Sequence, residues 1–211
     1  MTVFFVEGNI GTGKSTFLSL IQKYYPQHQV IYEPVDIWTS LADKDGVNIL
    51  QYFYDDPKRY AYAFQSLAFI SRMEKLKEID PTRHVFIERS IWSDSNVFAR
   101  NCFMQGTLSD IEYKLYQRWF VWAESSIKAE STNFKYVYLR CDPKTSFERT
   151  LIRKRKEESN IPLEYIEQIH DRHEEWLSDK QDTTTIDFSS EEYVNNERAF
   201  RKLFDTLIPV V

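Results

Sequence analysis

Gly8-Asn9-Ile10-Gly11-Thr12-Gly13-Lys14-Ser15 follows directly on the strand-like run Thr2-Val3-Phe4-Phe5-Val6 and precedes Phe17, Leu18, Leu20 and Ile21, which recur at helical spacing. Three of the chain's 5 glycines, Gly8, Gly11 and Gly13, fall in this stretch. A backbone that must take positive φ and approach an anion closely needs residues without Cβ there. Strand, glycine-rich turn and helix in that order match the pattern G-x-x-x-x-G-K-[ST], in which main-chain N–H groups and the positive end of a helix cradle phosphates. Lys14 is expected to reach the β- and γ-phosphates and Ser15 to ligate Mg²⁺, with Thr16 in the first helical turn. The expected ligand is a nucleoside triphosphate. The expected fold is a parallel α/β sheet wrapped by helices.

The 211 residues, 42% hydrophobic and 28% charged, suit one globular domain over 1–211 with a full core. A formal charge of −5 argues against a nucleic-acid surface, which needs clustered cations. Two cysteines, Cys102 and Cys141, give no disulfide framework and suggest buried thiols in a reducing compartment. No apolar run approaches a membrane span, and no presequence pattern precedes the first strand, so a cytoplasmic protein without membrane partners is expected.

Beyond the first helix, Val30-Ile31-Tyr32 reads as a short strand, which sets Glu33 at a carboxyl end, the edge that faces the ligand crevice in open α/β sheets. Asp36 to Asp56 looks irregular. Pro57 opens a helical pattern running to Pro81, in which Gln65, Ala68 and Arg72 share a face and suggest a partly polar pocket. A third strand, His84 to Glu88, ends in Glu88-Arg89-Ser90, where a carboxylate reads as the acidic partner of a Mg²⁺ site. The next helix carries Trp92, Asp94 and Phe98, and Leu108 to Ile127 is apolar on more than one face, which fits core plus a homodimer surface. Tyr136 to Leu139 is a fourth strand. The helix from Pro143 runs into the cationic stretch Arg149 to Glu158, where Arg149, Arg153 and Arg155 suit a short basic lid over polyphosphate. Leu163 to Leu177 forms a further helix, with His170 and His173 on its surface rather than on a metal. Strand Thr183 to Ile186 and a C-terminal helix from about Glu191 to Leu207 complete the chain.

The order of these motifs resembles the deoxynucleoside kinases of the deoxycytidine/deoxyguanosine kinase type. The residues carrying the resemblance are Glu7 to Thr16, Glu33-Pro34-Val35 with Trp38, Tyr54 with Pro57, Phe64-Gln65, Ser71-Arg72, Glu88-Arg89-Ser90 with Asp94, and Arg153 to Leu163. It implies a P-loop kinase fold with a five-stranded parallel sheet, a homodimer on a helical bundle, and transfer of the ATP γ-phosphoryl group to a deoxynucleoside 5′-hydroxyl in nucleotide salvage. By resemblance Glu33 is the general base, Arg89 lies near the 5′-oxygen and Glu88 near Mg²⁺. Tyr54 and Glu158 fall at the sugar 3′-hydroxyl, Trp38, Phe64 and Phe98 around the base, and Gln65 on the base edge. Arg72 and Asp94 match a pair that favours deoxycytidine, deoxyadenosine or deoxyguanosine over thymidine, although a purely supporting salt bridge is the other reading of that pair. Trp92 and Ser95-Asn96 depart from the residues common in these enzymes. The short N-terminus, unlike that of mitochondrial members, favours a cytosolic version, viral or microbial. Two other readings are a thymidylate kinase-like monophosphate kinase, which would need an arginine-rich acceptor-phosphate site, and a non-catalytic nucleotide-binding module.

Overall fold

The structure is a computed structural model describing residues 1–128 and 133–208. Its elements run β1 (Val3–Glu7), α1 (Lys14–Tyr24), β2 (Gln29–Ile31), α2 (Val35–Ser40), α3 (Ile49–Asp55), α4 (Pro57–Leu76), β3 (Val85–Glu88) and α5 (Ile91–Ser93). A π-helical turn, Asp94–Ala99, passes into α6 (Arg100–Met104), followed by α7 (Asp110–Lys128), β4 (Phe134–Arg140), α8 (Pro143–Arg153), a 3₁₀ turn (Lys156–Glu158), α9 (Leu163–Leu177), β5 (Thr183–Asp187), α10 (Glu192–Asn195) and α11 (Glu197–Leu207).

The five strands form one all-parallel sheet in the order β2-β3-β1-β4-β5, the P-loop kinase fold that the resemblance implies. β1 is central and buried along its length, so both of its faces must be apolar, and alternate residues divide between two cores. Val3 and Phe5 pack with Phe64, Trp92, Tyr116 and Leu177, whereas Phe4 and Val6 pack with Phe17, Ile21, Phe200 and Phe204. Every strand therefore delivers its carboxyl end to the same edge, where the loops carrying Gly8, Glu33 and Arg89 converge.

Four details differ from the sequence expectation. Asp36–Asp56 holds two helices, α2 and α3, too short for periodicity to reveal; Asn48 caps α3 by accepting from the Gln51 N–H. α4 opens on Pro57 with Asp56 as its cap, but ends at Leu76 rather than Pro81. The C-terminal helix is broken at Asn196, whose side chain caps α11. His173 is not on the surface: it is buried, with its ring stacked on Tyr138 at 5.9 Å and edge-on to Phe98. α9 lies between β4 and the π turn, so the face read as solvated faces protein.

Candidate active site

The glycine-rich loop leaves β1 and enters α1 with φ of +145° at Gly8, +80° at Gly11 and +96° at Gly13. A Cβ on Gly11 would stand 2.2 Å from the Ser146 carbonyl oxygen, so α8 presses on the loop and leaves only hydrogen there. Asn9 ties the other side down, donating from Nδ2 to the Ile166 carbonyl (2.8 Å) while Oδ1 accepts from the Ile10 N–H. Its carbonyl accepts from Thr12 Oγ1 (3.0 Å) and from Lys14 Nζ (2.7 Å). Burial and the neighbouring Arg89 pull the Lys14 ammonium down to about 7. A polyanion beside it would reverse that pull, since an opposite charge favours the charged form. Thr16, one turn into α1, is exposed.

Ser15 Oγ donates to both carboxylate oxygens of Glu88, at 3.0 and 3.1 Å. A hydroxyl and a carboxylate are hard oxygen ligands suited to Mg²⁺, and among the described residues no cluster of three or more His, Cys, Asp or Glu side chains offers an all-protein cage. That donor set fits a Mg²⁺ ion completed by phosphate oxygens and water.

Arg89 follows β3 in the left-handed region (φ +63°), rare for a side chain this large. The turn aims its guanidinium back across the sheet edge, where Nη1 donates to the Gly8 carbonyl (2.8 Å) and Nε lies 3.1 Å from Glu33 Oε1. Glu33 Oε1 also accepts from Arg72 Nη2 at 2.8 Å. Burial alone would raise the Glu33 carboxyl, but the guanidiniums of Arg72 and Arg89 outweigh it and hold it at about 2. Arg72 Nε in turn lies 2.8 Å from both oxygens of Asp94. Arg72 and Asp94 thus form an ion pair and at the same time line the cleft.

The cleft beyond Glu33 has a volume of about 210 Å³. A single bound water needs only about 10–15 Å³ on this scale, so the space suits a ligand of nucleoside size. Gln65, Ala68 and Arg72 do share one face of α4 and line it. Trp38, fixed by an Nε1 bond to Ser71 Oγ (2.9 Å), meets Phe64 edge-on, and Phe98 lies under the Arg89 guanidinium. Two buried polar atoms of this wall, Gln65 Oε1 and Arg72 Nη1, have no hydrogen-bond partner among the described residues. Unpaired buried polar atoms are costly, and a polar ligand in the cleft could supply partners to these two. Tyr54 from α3 and Glu158 from the 3₁₀ turn line the same cleft, with Glu158 holding both Arg153 Nη2 and Arg155 Nη1.

A second cleft, about 370 Å³, lies over Gly11, Gly13 and Thr16 and extends to Phe188. Lys14, Ser15, Glu88 and Arg153 line both clefts. Arg149 borders the second cleft, but its guanidinium is spent on protein carbonyls of Thr12, Phe188 and Ser189. It clamps the glycine-rich loop to the segment after β5.

Sequence reasoning gave no role to Glu7 or Tyr165. Glu7 is fully buried and accepts from Ser90 Oγ (2.6 Å), tying the entrance of the loop to the turn after Arg89. Burial pushes its carboxyl up to about 7 against the Ser90 bond and the Arg89 charge. Tyr165 stands T-shaped to Tyr54 in the cleft wall. A carboxylate at the last position of a central buried strand was the available signal for Glu7; Tyr165 sits at ordinary helical spacing and offered none.

Comparison with known proteins agrees with this fold. The family model "deoxynucleoside kinase" matches residues 4–211. Deoxycytidine kinase 2 of Gallus gallus is 38% identical, over 88% of this chain and 76% of that protein. The mitochondrial deoxyguanosine kinase of Xenopus laevis is 36% identical over the same shares, 88% and 76%. A probable deoxycytidine kinase of fowlpox virus is 31% identical over 84% of this chain and 72% of its own length. The chain belongs to the deoxynucleoside kinase family and is a phosphotransferase enzyme.

Proposed function

We propose that this kinase, acting as one unit over residues 1–211, transfers the γ-phosphoryl group of ATP to the 5′-hydroxyl of deoxycytidine, deoxyadenosine or deoxyguanosine in preference to thymidine. The observation that carries the reading is the junction of the two clefts: they meet at Lys14, Ser15, Glu88 and Arg153, with Glu33 on the acceptor side. Phosphoryl transfer has a loose transition state, so the protein mainly aligns the hydroxyl, takes its proton and neutralises charge. Glu33 is ionised at any physiological pH and accepts the 5′-hydroxyl proton, while Arg89 beside it orients the oxygen. The loop from Gly8 to Ser15 holds the triphosphate through its N–H groups. Lys14, Arg153 and Arg155 neutralise the transferring group, and Arg149 contributes by fixing the loop. Mg²⁺ on Ser15 and Glu88 would supply further charge neutralisation at the β- and γ-phosphates.

Trp38, Phe64 and Phe98 pack the base, Gln65 reads its edge, and Tyr54 and Glu158 take the sugar 3′-hydroxyl. Asp94 accepts from the exocyclic amine of cytosine or adenine, where thymine would place a second acceptor. Arg72 N–H groups, with Nη1 unpartnered among the described residues, suit the carbonyl and ring nitrogen of guanine.

The exposed face of α7, with Ile111, Leu115, Trp119 and Trp122, is the surface we assign to a homodimer. Two unpaired cysteines fit a reducing compartment, the cytoplasm, where nucleotide salvage would use such an activity. Incubation with Mg-ATP and each of the four deoxynucleosides, following ADP, tests the reaction. Turnover with deoxynucleoside monophosphates but not deoxynucleosides would replace this reading by the monophosphate-kinase one.

A further inference from the structure

The two side chains assigned to the sugar 3′-hydroxyl come from elements that are far apart in the chain. Tyr54 sits near the end of α3 and Glu158 closes the 3₁₀ turn. A phenol and a carboxylate can share one hydroxyl only if their separation is held to a few tenths of an ångström. One residue spans the two elements. Asn48 is buried, and its Oδ1 accepts from the Gln51 N–H (2.9 Å), capping α3. Its Nδ2 donates to Glu157 Oε1 at 2.7 Å. Glu157 is the residue before Glu158, so the turn is gripped on two sides: Glu157 by Asn48 of the α3 cap, Glu158 by Arg153 at the end of α8 and by Arg155 at the entrance of the turn itself.

We propose that Asn48 is a positioning residue that sets affinity for the sugar, its amide bridging the α3 cap to Glu157 and so fixing Tyr54 relative to Glu158. This rests on the assignment of the cleft to a deoxynucleoside. The two ends of the amide have separable duties. Oδ1 serves helix α3, and any cap acceptor can replace it. Nδ2 serves the bridge, and only a donor can.

Asn48→Asp separates them. It keeps the cap acceptor and sets a second carboxylate against Glu157, so α3 should persist while the turn is pushed away. The KM for a deoxynucleoside should rise about tenfold, by more than kcat falls, while the KM for ATP stays within about twofold. Discrimination between the deoxynucleoside and its 3′-deoxy analogue should fall by a similar factor, because the analogue lacks the group whose recognition is disturbed. Adding Glu157→Gln to Asn48→Asp restores a donor–acceptor pair of reversed polarity and should recover most of the lost affinity. Equilibrium binding of the deoxynucleoside to each full-length variant, measured by calorimetry, should follow the same order. An unchanged KM in Asn48→Asp, a loss equal for the 3′-deoxy analogue, or no recovery in the double variant would each overturn the bridge while leaving the kinase reading intact. Absence of both turnover and deoxynucleoside binding in the wild type would overturn both together.

Discussion

The two clefts that meet at Lys14 are built by opposite strategies. The proposed donor side is made of consecutive residues, Gly8 to Ser15, whose main chain would do the binding and whose shape is set by where a Cβ is forbidden. The acceptor side gathers Glu33, Tyr54, Gln65, Arg72, Arg89, Asp94 and Glu158 from loops and helices along much of the chain, and relies on side chains that hold one another through ion pairs. A main-chain site is all or none, because one wrong residue displaces several N–H groups at once. A side-chain site can be retuned one group at a time. Variants should therefore fail steeply on one side and in graded fashion on the other.

The largest effect belongs to Gly11→Val. Left-handed strain and the collision with the Ser146 carbonyl together cost about 2–5 kcal/mol, so kcat/KM for ATP should fall on the order of 10³-fold. Gly46 has the same φ of +80°, but a Cβ added there would meet no described atom within 4 Å, so Gly46→Val is the matched control and should leave ATP kinetics near wild type. Equal losses at both glycines would show that left-handed strain harms the fold at large and would remove close approach in the loop as the cause.

Next is Glu33→Gln, which keeps the shape of the side chain and removes the proton acceptor. Turnover should drop roughly 10²-fold, with substrate affinity changing less. Near wild-type kcat in this variant would remove Glu33 from the role of base. The graded behaviour of the acceptor side shows in the third test. Thymidine should be the poorest of the four deoxynucleosides for the wild type, and Arg72→Met with Asp94→Ala should raise its kcat/KM about tenfold while lowering that of the others. Finding thymidine best in the wild type would sink the role given to the pair.

The smallest effect on turnover, and one on stability, comes from Glu7→Gln. The folded-state carboxyl of Glu7 lies at about 7, above its ordinary 4.5. A raised value means the folded state binds the proton more tightly than the unfolded chain. Its stabilising effect is complete below pH 4.5 and is lost as pH rises through about 7. The amide that replaces the carboxyl in the variant does not titrate and has no such dependence. The melting temperature of the variant relative to the wild type should therefore climb between pH 4.5 and 7 and level off above, which thermal scans across that range would check.

The same contrast decides what could be read from the amino-acid order. The loop was legible to the residue, because glycine spacing and Lys14-Ser15 encode a main-chain shape directly. Glu33 and Glu88 were legible as carboxylates ending apolar strands. The stripe Gln65, Ala68, Arg72 was legible as polar groups on a buried face, and does line the cleft. The bond between Arg72 and Asp94 was one reading of the sequence, but nothing local adds Glu33 to that pair or commits Arg149 to three carbonyls. α2 and α3 were invisible because a helix of 6 or 7 residues completes too few turns to show a period. The π turn at Asp94–Ala99 escaped for a related reason: it differs from an α-helix by one residue of register. His173 was placed on a surface because burial of a polar residue depends on what packs over it, here Tyr138 and Phe98.

The strand order has a consequence for the nascent chain. β1 precedes every other strand in the chain, yet it pairs only with β3 and β4, so neither of its edges can close until Val85–Glu88 and then Phe134–Arg140 have been made. At a ribosomal rate of about 5–20 residues per second, that leaves Val3-Phe4-Phe5-Val6 without its second neighbour for roughly 7–28 s. An uncharged, β-prone tetrapeptide held open that long offers an unpaired strand edge to aggregation, and slowing elongation before residue 134 should lower the soluble yield.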